Sequence, residues 1–424
     1  MLAVPLLAAC AGLAVPAPAG SAPIRSVRTS TAVELCRSCE NRSLLIFPSL
    51  LSIEFPIIFS WPGIAVSFED IQFPMSKSTA LFSLLAISAA VALFFSLPSP
   101  SAQPETSSEP VSRTFSFTYE VRVPVTKDPQ GHMFLWLPLP QQDAYQQIRN
   151  LRIESSVDHT TGHDPEYGNP YALFQPSSDQ LAAGFAVKVS FVAIRLEHKV
   201  SLASSPAKNG AVSPASDPSL KRYLQPDNLV PVNGVIAELA KEHTAGETTD
   251  LAKAQSIYNY VVSTMHYDKS GEGWGRGDAV WACNSKRGNC TDFHSLLIGM
   301  MRSSNIPARF EIGFPLPESK TEADIPGYHC WAEFYLQGTG WVPVDASEAS
   351  KNPAKREYFF GAHDDNRVLF TYGRDIRLSP LQQGDPLNYF IYPYAELDGK
   401  SFSGLQSRFS FRDLPVAAPT TAAQ

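Results

Sequence analysis

Between residues 290 and 345 the apolar positions change period. Phe293, Leu296, Leu297, Met300 and Met301 recur at three- and four-residue intervals, the buried stripe of an amphipathic helix, and Asn305-Ile306-Pro307 closes it. In Tyr328-His329-Cys330-Trp331-Ala332-Glu333-Phe334-Tyr335-Leu336 the period falls to two. Cys330, Ala332, Phe334 and Leu336 then share one face, read as the core side, and His329, Trp331, Glu333 and Tyr335 share the other. Gln337-Gly338-Thr339-Gly340 signals a turn, and Trp341-Val342-Pro343-Val344-Asp345 returns as the antiparallel partner. A turn centred near Gly338 sets Asp345 opposite Trp331 and makes it the diagonal, same-face neighbour of His329.

The same reading organises the rest. Residues 114–123 alternate as a strand, Phe134-Leu135-Trp136-Leu137-Pro138 follows, and residues 185–191 alternate again, predicting a β-sandwich-like module over 111–203. A structural platform is the preferred role for it, and substrate binding the alternative. Residues 204–230 form a linker that opens rich in Ser, Ala and Pro. Val235, Ile236 and Leu239 mark one helix, and Ala254, Ile257, Tyr258, Val261, Val262 and Met265 a longer one behind a Thr248-Thr249-Asp250 cap. Residues 231–378 thus predict an α+β core. Strands are expected over 379–412, with Tyr389-Phe390-Ile391-Tyr392-Pro393-Tyr394 among them, and a disordered Pro-Ala-Thr tail over 413–424.

The first hundred residues bear on location. After Ser76-Lys77, residues 80–97 are an apolar run of roughly 18 residues, followed by Pro98-Ser99-Pro100-Ser101-Ala102-Gln103. This predicts a signal peptide over 75–102 cut near Ala102, hence a periplasmic or secreted protein; an uncleaved membrane anchor is the alternative. Residues 1–74 have no clean periodicity and are expected to stand outside the working protein, a true N-terminal anchor being the other reading. Cys36 and Cys39 have paired spacing without a second pair or a nearby His, which is weak support for metal or redox chemistry. A net charge of −7 without a basic stripe argues against nucleic acid. Cys283 and Cys330 are expected as buried thiols, a disulfide between them being the alternative in an oxidising compartment.

Chemistry concentrates in Arg287-Gly288-Asn289-Cys290-Thr291-Asp292-Phe293-His294, where a loop gives way to the helix. Cys290 stands at the helix N-terminus, where unpaired N–H groups and the macrodipole favour a thiolate below the free-thiol pKa of about 8.5. His329 follows as the base and Asp345 as the group that orients it, leaving the other ring nitrogen for the sulfur. Singly, a Cys is a small buried hydrophobe, a strand His a satisfied structural residue, and an Asp after a strand a cap. Helix-start placement, face parity and chain order together favour a nucleophile, a base and an orienter. His294, one turn beyond Cys290, is the rival base, but no carboxylate stands at readable spacing from it. Asp292 reads as a first-turn carboxylate. Cys283, Cys290 and Cys330 lack paired spacing, and no EF-hand pattern appears, His363-Asp364-Asp365-Asn366 reading as a capped turn, so no metal and no cofactor are expected.

These segments resemble the transglutaminase-like superfamily. The resemblance runs through Gly275-Arg276-Gly277-Asp278-Ala279, the Cys290 segment, Ile306-Pro307-Ala308-Arg309, Gly327-Tyr328-His329-Cys330-Trp331-Ala332-Glu333, Trp341-Val342-Pro343-Val344-Asp345-Ala346 and Asp365-Asn366-Arg367. It implies a papain-like α+β core preceded by the β-sandwich-like module, with Cys290 as nucleophile, His329 as general base and acid, and Asp345 as orienter. It also places oxyanion stabilisers or active-site walls among Asn289, Asn284, Trp274, Trp281 and Trp331 without choosing between them, the backbone N–H of Cys290 being the safer donor. The expected partner is a protein or peptide amide, of the cell envelope or elsewhere. Hydrolysis is favoured over amine transfer because its second step needs only solvent. A cross-linking transglutaminase and a non-catalytic envelope scaffold are the alternatives.

Overall fold

The computed structural model describes residues 111–127, 129–202, 217–378 and 382–415. The expected leader and signal peptide, residues 204–216 of the linker and residues 416–424 of the tail lie outside the described residues. Alternation builds the first strands: β1 (Ser112–Val123) buries Phe115, Phe117, Tyr119 and Val121 on one face. Next come β2 (Met133–Pro138), β3 (Gln146–Ser155), β4 (His159–His163), β5 (Pro170–Phe174), α1 (Ser178–Ala183), β6 (Phe185–Leu196) and β7 (His198–Lys199). The central stretch holds α2 (Gly234–His243), α3 (Asp250–Thr264), β8 (His266–Tyr267), α4 (Ala279–Ser285), β9 (Arg287–Gly288) and α5 (Cys290–Ser303). Beyond them lie β10 (Ala308–Pro315), β11 (Glu322–Ile325), β12 (His329–Leu336), β13 (Gly340–Val344), α6 (Ala346–Lys351), β14 (Ala362–His363) and β15 (Arg367–Tyr372). The chain closes with β16 (Tyr394–Leu397), β17 (Lys400–Ser401) and β18 (Gln406–Asp413).

The fold is α+β. Two five-stranded antiparallel sheets, ordered β11-β18-β1-β6-β3 and β17-β16-β2-β5-β4, form the module, and a four-stranded antiparallel sheet, β13-β12-β10-β15, carries the core. The C-terminal strands therefore return to the module, β16 against β2 and β18 against β1. β18 includes Gln406–Asp413, so the tail begins later than the sequence suggests. The 204–230 stretch does not divide the hydrophobic interior: Phe117 of β1 lies 5.5 Å from Phe314 of β10 and 5.7 Å from Phe370 of β15, ring to ring. Of the expected 389–394 strand only Tyr394 enters one; Tyr389 and Tyr392 lie in the irregular segment before β16.

Two periodicity readings need revision. α5 is buried from Cys290 to Arg302 on every face. Its polar side chains are tolerated because each finds an internal partner: Ser295 Oγ donates to Thr291 O at 2.7 Å, and Arg302 reaches Ala308 O at 2.9 Å and Asp227 at 2.7 Å. β12 is likewise buried on both faces apart from Tyr335, so its His329-Trp331-Glu333 side looks into a second, polar interior. The hairpin register agrees with the spacing argument, since Ala332 pairs with Val344 and Leu336 with Gly340 around Gly338.

Candidate active site

The start of α5 is tightly specified. Asn289 caps the helix by accepting from Thr291 N at 3.0 Å, and Asp292 completes a capping box by accepting from Asn289 N at 2.9 Å. Asp292 also accepts from Gly275 N at 2.7 Å and Gly277 N at 3.0 Å, clamping the 271–277 loop over the helix start. It is therefore a buried fastener as well as a first-turn carboxylate. Burial leaves its pKa raised despite these three donors. Gly288 makes the close approach possible: its φ is 147°, and a Cβ there would stand 2.3 Å from Asp292 Oδ2.

Cys290, at the first helical position, has Cys330 and His329 as the groups that act most strongly on its thiol. Cys330 is on the helix-facing side of β12, as read from the sequence, its Sγ 3.7 Å from His294 Nδ1. His329 Nε2 lies 2.8 Å from Asp345 Oδ2, which leaves Nδ1 for the sulfur. The hydrogen bond from Cys330, with the hydrogen bond and positive charge of His329, holds the Cys290 thiol well below its ordinary value against the opposing effect of burial. For His329, burial disfavours the imidazolium, but the Asp345 carboxylate and Cys290 prevail and raise it to about 10. Cys330 is pushed well above the ordinary thiol value by burial and by Cys290, so it stays an S–H donor. Both shifts favour a thiolate on Cys290 and an imidazolium on His329.

Asp345 does two jobs. It caps α6 by accepting from Glu348 N at 3.0 Å, and it faces His329, with Arg367 at 3.2 Å on the same oxygen. Burial opposes its ionisation, yet His329, Arg367 and His294 keep its carboxyl well below the usual range. His294 corrects the sequence reading: its Nε2 lies 3.6 Å from Asp345 Oδ1, so a carboxylate does stand near it. Its Nδ1 lies 2.8 Å from Cys290 O and its Nε2 accepts from Ala346 N at 3.2 Å, so both nitrogens are engaged. Burial lowers its pKa, leaving it neutral, a tie between the helix start and the Asp345 turn.

The proposed wall residues separate. Asn289 braces the site, its Nδ2 donating to Tyr328 Oη at 3.1 Å. Trp281 packs under the 271–277 loop with Arg287 over its ring, and Trp274, part exposed, donates to Gly271 O at 3.1 Å. Trp331 is fully buried behind His329, 5.7 Å ring to ring, with Arg367 4.7 Å over its face, so it cannot line a substrate cleft. Asn284 is exposed on α4 and joins none of these contacts. Sequence reasoning missed Cys330 as a donor to the thiolate and Tyr328, whose ring lies 5.5 Å from Tyr389 and 6.0 Å from Tyr392. Burial and then the Cys290 charge push the Tyr328 phenol upward. Beside His329 opens a polar cleft of about 200 Å³ lined by Glu348, Asn352, Lys355 and Asn366, with Glu348 3.7 Å from the imidazole.

A buried helix-start cysteine against a His–Asp pair on neighbouring strands, within this α+β layering, defines a papain-like, transglutaminase-like class of protein. The model of the transglutaminase-like superfamily matches residues 237–346. An uncharacterised protein of Haemophilus influenzae is 30% identical over 325 residues, covering 67% of this chain and 85% of its own length. The uncharacterised protein YebA of Bacillus subtilis is 31% identical over 80 residues, 17% of this chain and 11% of its own. Among solved structures, a candidate cysteine protease from Cytophaga hutchinsonii superposes with a TM-score of 0.52 over 73% of this chain and 93% of its own, at 14% identity, a likeness of fold. The chain belongs to the transglutaminase-like superfamily.

Proposed function

We propose that the protein is an exported thiol enzyme that cleaves peptide or glutamine amides through a Cys290 thioester. The observation that carries this reading is the meeting of Cys290, His329 and Asp345, with His329 Nε2 2.8 Å from Asp345 Oδ2, the thiol lowered and the imidazole raised. The thiolate attacks the amide carbonyl while the Cys290 backbone N–H, free of an intrahelical partner at this position, faces the developing oxyanion. His329 gives its proton to the leaving amine, then takes one from the second nucleophile. Water is favoured in that role. The cleft at His329 is polar, and Trp331, one of the candidate active-site walls, is sealed in the interior. The fold shared with a candidate cysteine protease agrees with hydrolysis. Export rests on the apolar 80–97 run and its small-residue exit.

The test pairs covalent labelling with product analysis. One portion of the purified protein is treated with iodoacetamide, and a separate, untreated portion is incubated with a glutamine-containing peptide library and a labelled primary amine. Labelling at Cys290 and cleaved or deamidated peptides in excess over amine adducts are expected. Predominant adducts would show a cross-linking enzyme, and a folded protein that neither labels nor turns over would return the scaffold reading.

A further inference from the structure

We infer that the protein holds a divalent metal ion, Zn²⁺ or a cation of similar preference, between His198, Glu333 and His363, on the side of β12 away from α5. Three strands that are distant in sequence make the site. β7 and β14 form a short antiparallel pair in which His198 and His363 stand directly opposite one another. Glu333 enters from β12. One ligand atom from each of the three lies within 4.8 Å of the others, and all three side chains are buried.

The hydrogen bonding is that of a ligand set. His363 Nε2 lies 3.3 Å from Val344 O, a contact that requires the proton on Nε2 and leaves Nδ1 with a bare lone pair. That Nδ1 is buried and has no hydrogen-bond partner. Metal-bound histidines have this arrangement, the distal N–H held by a carbonyl and the other nitrogen on the ion. Of the Glu333 oxygens, Oε2 accepts from Arg309 Nε at 2.8 Å, while Oε1 is paired with His198 Nδ1 at 3.1 Å, a contact that an ion between them would replace. Ligands at about 2.0–2.1 Å from a tetrahedral zinc stand about 3.3 Å apart, so His198 and Glu333 already have the spacing of two adjacent ligands. The role is structural. Glu333 shares β12 with His329, and His363 is followed by Asp364 and Arg367, which hold one another and Asp345. The ion would pin the strands behind the catalytic pair and take no part in the thiol chemistry.

The full chain is stripped with chelator, incubated with Zn²⁺ or with Co²⁺ alone, and desalted. One retained equivalent is expected, with a melting temperature several degrees above the stripped protein and Co²⁺ d–d bands that lack a thiolate-to-metal charge-transfer band. His363→Ala should lose this equivalent and Cys290→Ala should keep it. If His363→Ala does not fold, His198→Gln, which keeps an amide opposite Glu333, serves in its place. No retained ion in the wild type would overturn the inference, as would a thiolate charge-transfer band lost in Cys290→Ala, which places the ion on the active-site sulfurs.

Discussion

Cys290 and Cys330 are neighbouring thiols whose pKa values are pushed in opposite directions, and the pH profile should reveal the causes. Activity needs the Cys290–His329 pair with one proton between them, so kcat/KM should be a bell whose limbs belong to the pair, the acid limb below the ordinary thiol range and the alkaline limb near 10. Cys330→Ala removes a donor to the thiolate and should move the acid limb upward. Asp345→Asn removes the charge that raises His329 and should move the alkaline limb down. An unmoved limb in either variant, measured by steady-state kinetics, would refute that cause. On turnover, Cys290→Ala and His329→Ala should each cost on the order of 10⁴-fold or more, and Asp345→Asn less, because an amide still orients the ring. Wild-type rates from Cys290→Ala would remove the assignment altogether.

At the level of elements, the helix start depends on a glycine that the chemistry never touches. Gly288→Ala sets a Cβ against Asp292 at a φ few side chains adopt, breaking the capping box and loosening the 271–277 loop. A loss of about 3 kcal/mol in denaturant unfolding is expected from the lost charged hydrogen bonds and backbone strain. A variant of unchanged stability would show that the clamp is dispensable. The sequence was a good guide wherever a contact lies within one element or one hairpin: the α5 spacing and the Gly338 register placed Cys290, His329 and Asp345. It was a poor guide where segments meet only through the fold. Period-two reading assumes one wet face, so the polar interior around Glu333 was missed. Spacing along α5 also could not show Asp345 beside His294, because the carboxylate comes from the turn between β13 and α6. Tyr328 and Tyr389 meet because an irregular segment comes back to the site, and irregular segments have no periodicity to read.

Across the whole molecule, the module and the core stand or fall together. β18 supplies Phe409 and Phe411 to the interior and pairs with β1 along its length. Ending the chain after Gly404 should therefore leave β1 with an open edge and yield aggregated protein, judged by size-exclusion chromatography. A monomeric, folded truncation would show that the core carries itself. The same pairing sets a clock on biogenesis. Arg113 and Asp413 are joined by a 2.9 Å ion pair across 300 positions of sequence, and at about 5–20 residues per second the ribosome needs roughly 15 to 60 s to make that distance. During that interval the first strand has no last partner. A chain that must wait for its own end keeps the β1 edge open until synthesis is nearly complete, so the pairing that closes the sheet also postpones its closure.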